Sequence, residues 1–346
     1  MKVKHVNFEY QLEGSGIVNN DSSKQNFTWN RESKNGNKNK FTSINNNNMY
    51  AKKQYFRNDD GVLDYKIKIS SDCVRNAIFS GDAIATNANI LQHKVLLNSF
   101  IGSTLGLIRG YMFAGKKETV KRKSPLTITS ATQDNDSESF MEISTKGGDK
   151  TVHDSDENAS DTLRNTEAIG DITYRGKGFI DVAGLELLSC DPIFDRYSFN
   201  SDDYGILKTF LSANLPDFDS ELGYYRLKTS AIDVSEYGIK LKEQQIKYLI
   251  KETLKRILNI NISRATAYAK ISKLRIQLVN DALNLDSWIE INSISDIDKL
   301  DFEIEEFYTL VDGSEAEKQR SDIEEAVKAS IEADKKAKAD KKNKKK

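Results

Sequence analysis

The sequence predicts an α+β fold. Apolar residues alternate with polar ones near the N-terminus and again near residue 275, which is typical of half-exposed strands. Around residues 97–108 and 246–257 the apolar residues recur every three or four positions, which is typical of helices that pack on one face. Long polar stretches separate these segments, so we expect a core that carries large insertions.

Two strands are predicted in the first third of the chain. The first runs from Val6 to Leu12, with an apolar residue at every second position, until Gly14 and Gly16 break the pattern. The second covers Tyr65 to Ile69, where lysines occupy the alternate positions. Residues 19–58 between them are dominated by Asn, Ser, Lys and Gly, and we expect a long insertion or mobile loop there.

Two helices are predicted next. Ser71 or Asp72 can cap the first, which runs through Val74 and Ile78. The second begins near Asn89. Its core-facing residues recur at helical spacing and are Leu97, Ile101, Leu105 and Ile108. This helix also has glycines at a spacing of four residues, at Gly102, Gly106 and Gly110. They predict a helix face that another backbone can approach closely.

The second half of the chain predicts strands on both sides of an amphipathic helix. Ile172 to Leu188 and Tyr224 to Val234 are rich in aromatic and β-branched residues, which favours strands. The helix spans about Leu241 to Leu258, and a last strand follows around residues 274–278. The order strand, strand–helix, strands, strand–helix, strand is compatible with a ferredoxin-like α+β sheet, the architecture of RNA-recognition domains.

Composition divides the chain into one domain and a tail. We expect the domain to cover residues 1–313, with insertions at about 15–58, which is Asn-rich, and at 130–168, which is polar and acidic. Residues 314–346 are mostly Glu, Ala, Lys and Asp, and the last twelve contain eight Lys and one Asp. Such tails are disordered or form a solvated helix, and at most contact polyanions weakly.

Charge and cysteine content exclude several classes of protein. The chain has 346 residues with 51 basic and 52 acidic side chains, so a cluster of cations is a local feature rather than a consequence of composition. Cys73 and Cys190 are its two cysteines, too few for a disulfide framework or a four-cysteine zinc site. We expect a protein of a reducing cytoplasm without membrane contact, because no apolar run suits a signal sequence or a membrane span.

Catalytic chemistry has little support in the sequence. His5, His93 and His153 stand far apart and in no metal-binding spacing. Cys190 has no basic sequence neighbour that would lower its pKa, so we predict a buried structural thiol. No glycine-rich phosphate loop is followed by a helix start. We therefore predict no catalytic residue, no metal and no cofactor.

A basic segment at residues 109–123 is the strongest functional signal in the chain. It holds six cations, opposed only by Glu118, and they are Arg109, Lys116, Lys117, Lys121, Arg122 and Lys123. Such clusters usually meet multiply charged phosphate chains. The alternative is a solvated basic surface that balances the acidic stretch 130–168. Because aromatic residues are not interleaved with these cations, contact with a phosphate backbone fits better than base stacking.

Four blocks of sequence resemble a known family. The blocks LIRGYMFA, KRKSPLTITSA, SFMEISTKGGDK and IGDITYRGKGFIDVAGLELLS are together similar to the guide-RNA-coating backbone subunit of CRISPR surveillance (Cascade) complexes, within the RAMP superfamily. The similarity covers about Tyr65 to Asp281 and is greatest to the type I-F variant, next to the type IV backbone subunit. It implies an RRM-type palm with finger-like insertions and a thumb hairpin.

The resemblance also implies RNA-contacting residues. Those of the palm are Arg109, Lys116, Lys117, Lys121, Arg122, Lys123 and Ser124. Lys52 and Lys53 would be finger contacts, and Arg264 would lie in a loop only loosely like the family's basic loop. Phe140 or Met141, in a short thumb hairpin reaching to Lys150, would wedge between bases.

The function implied by the resemblance is non-catalytic. Copies of the chain would line up along one guide RNA as a helical filament, other Cascade subunits would cap its ends, and the guide would pair with target DNA in the antiviral defence of a prokaryotic cell. One alternative is a RAMP-type endoribonuclease that cleaves bound RNA through a thumb-loop aspartate, for which the chain offers Asp149, Asp154 and Asp156. Another is a structural assembly protein whose lysines bridge acidic partners.

Overall fold

The fold is known from a computed structural model. It describes residues 2–19, 28–32, 38–42, 51–61, 63–81, 93–114, 119–135, 139–145, 163–229, 234–280, 287–322 and 325. The strands in these ranges, β1 to β21 in chain order, are Lys2–Val3, His5–Ser15, Thr28–Glu32, Lys38–Thr42, Lys53–Arg57, Leu63–Ile69, Tyr111–Ala114, Thr119–Arg122, Leu126–Ile128, Ala131–Gln133, Ser139–Thr145, Leu163–Ile169, Asp171–Asp181, Leu187–Ser189, Leu222–Leu227, Glu236–Lys240, Asn261–Arg264, Ala267–Val279, Ile289–Ile291, Glu303–Ile304 and Tyr308–Val311. The helices, α1 to α7, are Ser71–Ile78, Lys94–Ile101, Thr104–Arg109, Val182–Glu186, Tyr204–Asn214, Glu243–Leu258 and Ile294–Asp298, and residues 313–322 are also helical.

A nine-stranded sheet forms the centre of the molecule. Its main path runs β17-β18-β2-β13-β10-β6-β5, while β19 pairs with β18 and β9 pairs with β13. Strands β18, β2, β13 and β9 are antiparallel to their neighbours. Helix α1 packs against β9 and β17, and α6 packs against β18. The predicted mixture of helices and strands is therefore confirmed.

Strand β2 shows why the sheet forms as it does. The predicted alternation is confirmed, because Phe8, Tyr10 and their apolar neighbours at every second position are buried, whereas the residues between them are not. Gly176 and Gly178 of β13 stand opposite Tyr10 and Phe8. A Cβ atom at either glycine would lie 2.3–2.4 Å from the opposing ring. The GKG sequence of β13 thus makes room for two aromatic rings of the core.

Helix α6 also follows its prediction. Its apolar face is fully buried and includes Ile246, Leu249, Ile250 and Ile257. On the outer side, Glu243 pairs with Lys247 at 2.9 Å, the orientation that stabilises a helix at a spacing of four residues.

The helix expected from Asn89 is in fact two, α2 and α3, with residues 82–92 outside the described ranges. The Ser103 hydroxyl accepts the Gly106 amide at 3.0 Å and starts α3 as a new helix. Gly102 lies against Phe210 of α5, whereas Gly110 ends α3 with φ = 72°. The three glycines do permit close approach, but to different partners rather than along one helix face.

Three strand predictions also need correction. The segment Ile172 to Leu188 is broken, because α4 separates β13 from β14. Strand β11 pairs with β12 and not with residues just beyond the Gly147-Gly148 turn, so the hairpin is longer than expected. The polar stretch 130–168 contributes β10 to the large sheet, and the stretch 15–58 contributes β5, so parts of both supposed insertions are structural.

The C-terminal region does not begin as a detached tail. Strands β14, β16, β15 and β21 form a second sheet, and the helical residues 313–322 dock beside it. Ala316 is fully buried, and the Arg320 guanidinium forms a double contact with the Asp191 carboxylate, which has no exposed side-chain surface. The lysine-rich residues 326–346 lie outside the described ranges.

Candidate nucleic-acid interface

The basic segment folds as a hairpin whose side chains have different surroundings. It comprises β7 and β8, with Tyr111 opposite Arg122 and Ala114 opposite Thr119. Lys116 and Lys117 lie outside the described residues, so their predicted role stays a prediction. Because neighbouring residues of a strand point to opposite faces, β8 separates the cations that the sequence places together.

Arg122 is buried and does not face a ligand. Its Nε donates to the Leu107 carbonyl at 3.2 Å, and its two terminal nitrogens donate to the carbonyls of Leu187 at 3.1 Å and Gly184 at 2.9 Å. The side chain is 5% exposed, and burial lowers the pKa of its guanidinium. This side chain joins α3, α4 and β14, so its environment does not favour the RNA contact predicted for Arg122.

Ser124 is also committed to the backbone. Its hydroxyl accepts the Leu126 amide at 3.1 Å and lies 3.0 Å from the Ile108 carbonyl. Lys121 forms an ion pair with Asp195 at the surface. Lys123 is exposed and lines a cavity of about 490 Å³ together with Arg196. Lys121 and Lys123 remain accessible. The Ser124 hydroxyl instead forms hydrogen bonds with the backbone at the start of β9.

Helix α1 brings together cations that are far apart in sequence. Arg75, at its middle, donates to the Leu126 carbonyl at 3.2 Å and to the backbone carbonyl of Arg109. Desolvation lowers the pKa of Arg75, and the Arg109 charge lowers it further, while only Asp72 opposes them. An anion would relieve this repulsion between like charges.

Lys52 and Arg264 lie at the N-terminal end of the same helix. Arg264 donates from Nε to the Val18 carbonyl at 3.4 Å, and it lies near the Cys73 thiol. Burial raises the pKa of Cys73, and the charges of Arg264 and Lys52 oppose that rise, which places both cations beside α1. We call Lys52 and Arg264, on the Cys73 flank of α1, together with Arg75 and Arg109, on its other flank, the α1 interface.

The α1 interface shows what sequence reasoning found and missed. Lys52, Arg109 and Arg264 were expected to contact RNA, but nothing in the sequence connected them to one another. Arg75 was missed, because one arginine on a predicted helix gives no signal until the turn at Arg109 and the start of β9 at Leu126 are packed beside it.

The other predicted contacts lie elsewhere. The Lys53 ammonium sits 4.2 Å from the centroid of the Tyr65 ring on the β5–β6 hairpin. Phe140 and Met141 face Ala168 and Glu167 in the register of β11 and β12. They are therefore near the start of β11. Residues 146–162, which include Asp149, Asp154 and Asp156, are outside the described ranges. The wedge role of Phe140 and Met141 stays a prediction.

Within the described ranges no group of three or more His, Cys, Asp and Glu side chains is arranged to hold a metal ion. In the same ranges no helix is both long enough and apolar enough to span a membrane.

Cys190 has the buried environment predicted from its sequence neighbours. It is 3% exposed, and burial together with the Asp191 charge raises the pKa of its thiol to about 12. At pH 8 only about one thiol in ten thousand would be ionised, and the thiolate is the reactive form. In a Cys73→Ser variant we expect Ellman's reagent to label Cys190 only after urea unfolds the chain. Rapid labelling of that variant without urea would contradict the burial.

These features define an α+β protein with cations grouped on the two flanks of helix α1. The chain matches the family model of the type I-Fv CRISPR-associated protein Cas7fv-like over residues 2–286, and it belongs to that family. No curated protein matches it in sequence.

Two solved structures resemble the chain weakly. One, a "CRISPR RNA-guided surveillance complex, pre-nicking", is 9% identical with a TM-score of 0.40, over 80% of this chain and 77% of that one. The other, a "CRISPR RNA-guided surveillance complex", is 11% identical with a TM-score of 0.34, over 81% and 78%. Neither likeness is close enough to transfer a function.

Proposed function

We propose that this chain is a non-catalytic, guide-RNA-binding backbone subunit of a CRISPR surveillance complex. The observation that carries the proposal is the α1 interface, in a chain that belongs to the Cas7fv-like family. Lys52, Arg75, Arg109 and Arg264 come from four separate segments, and they lie in two pairs on the two flanks of one helix. Convergence of cations from distant segments is an expected feature of a phosphate site and not of a randomly solvated surface.

The chemistry of the α1 interface suits a phosphate backbone. Arginine presents a planar fork of donors that matches a phosphate, and lysine adds a point charge. Such contacts position a nucleic acid without reading its sequence, as a subunit that coats guides of any sequence requires. Lys121 and Lys123 are the accessible cations of the basic segment in the described residues, and they are further candidates for phosphate contact.

The large sheet is the palm in this proposal. Strands β18, β2, β13 and β9 with helices α1 and α6 follow the β-α-β-β-α-β order of an RRM-type domain. The β11–β12 hairpin lies next to β13 in the chain and corresponds to the thumb. Copies of the chain would bind one guide side by side as a filament, other subunits would cap the ends, and the guide would pair with target DNA.

Charge reversal tests the α1 interface. We expect the double variant Lys52→Glu/Arg109→Glu, purified from cells that express a CRISPR array, to lose its bound RNA. Its affinity for a labelled guide RNA should fall at least tenfold, and the salt dependence of binding should weaken by about one counterion for each phosphate contact removed.

The matched control is Lys299→Glu/Lys318→Glu, which makes the same charge change on two exposed lysines away from α1. It should keep its RNA. If both double variants lose RNA equally, attraction depends on net charge alone; if Lys52→Glu/Arg109→Glu keeps its RNA, the α1 interface is not the binding site. Either result contradicts the proposal.

A further inference from the structure

The hairpin β5–β6, which we call the aromatic hairpin, exposes large apolar side chains at the edge of the main sheet. Tyr55 is 61% exposed, Leu63 63% and Tyr65 41%. Strand β5 is the last strand of the sheet's main path and pairs with β6 alone within the described residues. Neighbouring exposed rings of this kind mark an interaction site more often than a solvated surface.

Register places the rings and two cations on one face of the aromatic hairpin. Tyr55 stands directly opposite Tyr65, and their rings meet edge to face with centroids 6.2 Å apart. Lys53 lies two residues before Tyr55 and Arg57 two residues after it, so both share the face of Tyr55. From Lys53 to Arg57 the strand spans about 13 Å, with the tyrosine pair between the two cations.

The cations are held close to the rings. The Lys53 ammonium lies 4.2 Å from the Tyr65 ring centroid, within the range of a cation–π contact. On the opposite face, Lys66 lies 6.0 Å from the Phe56 ring centroid. The Arg57 guanidinium donates to the Gly61 carbonyl at 2.7 Å, which fixes it at the turn. Both faces of the hairpin therefore combine an aromatic ring with a positive charge.

The charge of the hairpin indicates the kind of partner. Residues 51–69 carry five cations and three carboxylates, and the carboxylates are confined to the turn and the start of β6 at Asp59, Asp60 and Asp64. Aromatic rings flanked by cations are the arrangement with which proteins bind unpaired nucleotides, since every base has a stacking face and every nucleotide a phosphate. A purely apolar protein interface would not need the lysines.

The aromatic face also lies on the same side of the sheet as the α1 interface. Ile67 pairs with Lys53 in the register and is buried in the core, on the side that the helices cover. The aromatic face is therefore the outward continuation of the helix-covered side. Lys52, at the base of the hairpin, belongs to the α1 interface. A nucleic-acid strand that leaves the α1 interface along this side of the sheet would reach the tyrosine pair next.

We propose that the aromatic hairpin is a second nucleic-acid site, which stacks the bases of an unpaired strand on Tyr55 and Tyr65 while Lys53 and Arg57 contact the flanking phosphates. This site does not depend on the function proposed for the α1 interface, because its energy comes from stacking as well as charge. It takes single-stranded DNA or RNA irrespective of sequence.

The test measures binding of fluorescein-labelled dodecathymidylate to the full-length chain by fluorescence anisotropy. The variant Lys52→Glu/Arg109→Glu serves as the background, so that the α1 interface does not contribute. In this background we expect binding to persist and Tyr55→Ala/Tyr65→Ala to weaken it at least fivefold, as expected for the loss of one stacked base. Tyr55→Phe/Tyr65→Phe, which keeps both rings, should bind as the background does.

Two further measurements separate stacking from other effects. Leu310→Ala removes another exposed apolar side chain, 71% exposed on β21, and should leave anisotropy unchanged. Addition of dodecathymidylate should quench the tryptophan fluorescence of a Tyr55→Trp variant more than that of the chain that keeps Tyr55.

Three results would overturn the proposal. They are the absence of oligonucleotide binding in the background, equal binding by the Tyr→Ala and Tyr→Phe pairs, and a loss of self-association in light scattering without any loss of oligonucleotide binding. The last would identify the hairpin as a contact between copies of the chain. Loss of guide RNA by the α1 variant is scored separately, so failure of one site is distinguishable from failure of the other.

Discussion

Replacing Arg122 by Met should lower the free energy of unfolding by at least about 3 kcal/mol. Methionine has a similar length but no donor, so the carbonyls that Arg122 now contacts, including those of Leu107, Gly184 and Leu187, would lose a partner away from water. Each buried acceptor left unpaired costs about 1–3 kcal/mol. Urea unfolding followed by circular dichroism measures the change.

Neighbouring substitutions show whether burial or charge causes the loss. Lys123→Met removes a charge from the next residue, which is exposed, and should change stability by less than about 0.5 kcal/mol. Arg122→Lys keeps the charge but cannot reach several carbonyls at once, so it should destabilise nearly as much as Arg122→Met. A wild-type urea midpoint for Arg122→Met would show that the guanidinium does not hold these segments together.

Replacing Arg320 by Ala should cost about 3–5 kcal/mol, because it leaves the Asp191 carboxylate buried without its ionic partner. The amides of Ile193 and Tyr237 still donate to that carboxylate, each at 3.2 Å, but they carry no charge. The helical residues 313–322 should then detach, since Arg320 anchors them to the turn after β14. A protease specific for glutamate should cleave at Glu315 or Glu317 faster than in the unsubstituted chain.

Lys318→Ala is the matched control for Arg320→Ala. Lys318 is exposed on the same helical segment, so its loss should change neither the urea midpoint nor the cleavage rate. If Arg320→Ala and Lys318→Ala behave alike, residues 313–322 are held by Ala316 packing rather than by the ion pair.

Sequence periodicity predicted the elements that bury a regular apolar face. Strand β2 and helix α6 were predicted within a few residues of their bounds, because alternation and helical spacing are local properties that a single buried face imposes. The split between α2 and α3 was not predicted, since the apolar spacing continues across Gly102 and Ser103. Strand β10 was missed because three residues are too few to show a period.

The candidate site was predicted in its chemistry but not in its arrangement. The sequence indicated an unusual density of cations in residues 109–123 and a likeness to a guide-RNA-binding family, and the family was confirmed over residues 2–286. It could not indicate that Arg122 points inward, because its partners at residues 184–187 are about sixty positions away. It also could not place Arg75 beside Arg109, or Lys52 beside Arg264.

The sequence by itself determined the class of this protein: an α+β chain of the Cas7fv-like family with a strong bias of positive charge near α3. Only the tertiary structure decided which cations are available to a ligand. Residue type and spacing carry information about a few consecutive residues of a helix or strand, so they reveal periodic elements and local charge. Whether a guanidinium such as that of Arg122 meets carbonyls, or one such as that of Arg109 meets another cation, depends on segments that only folding brings together.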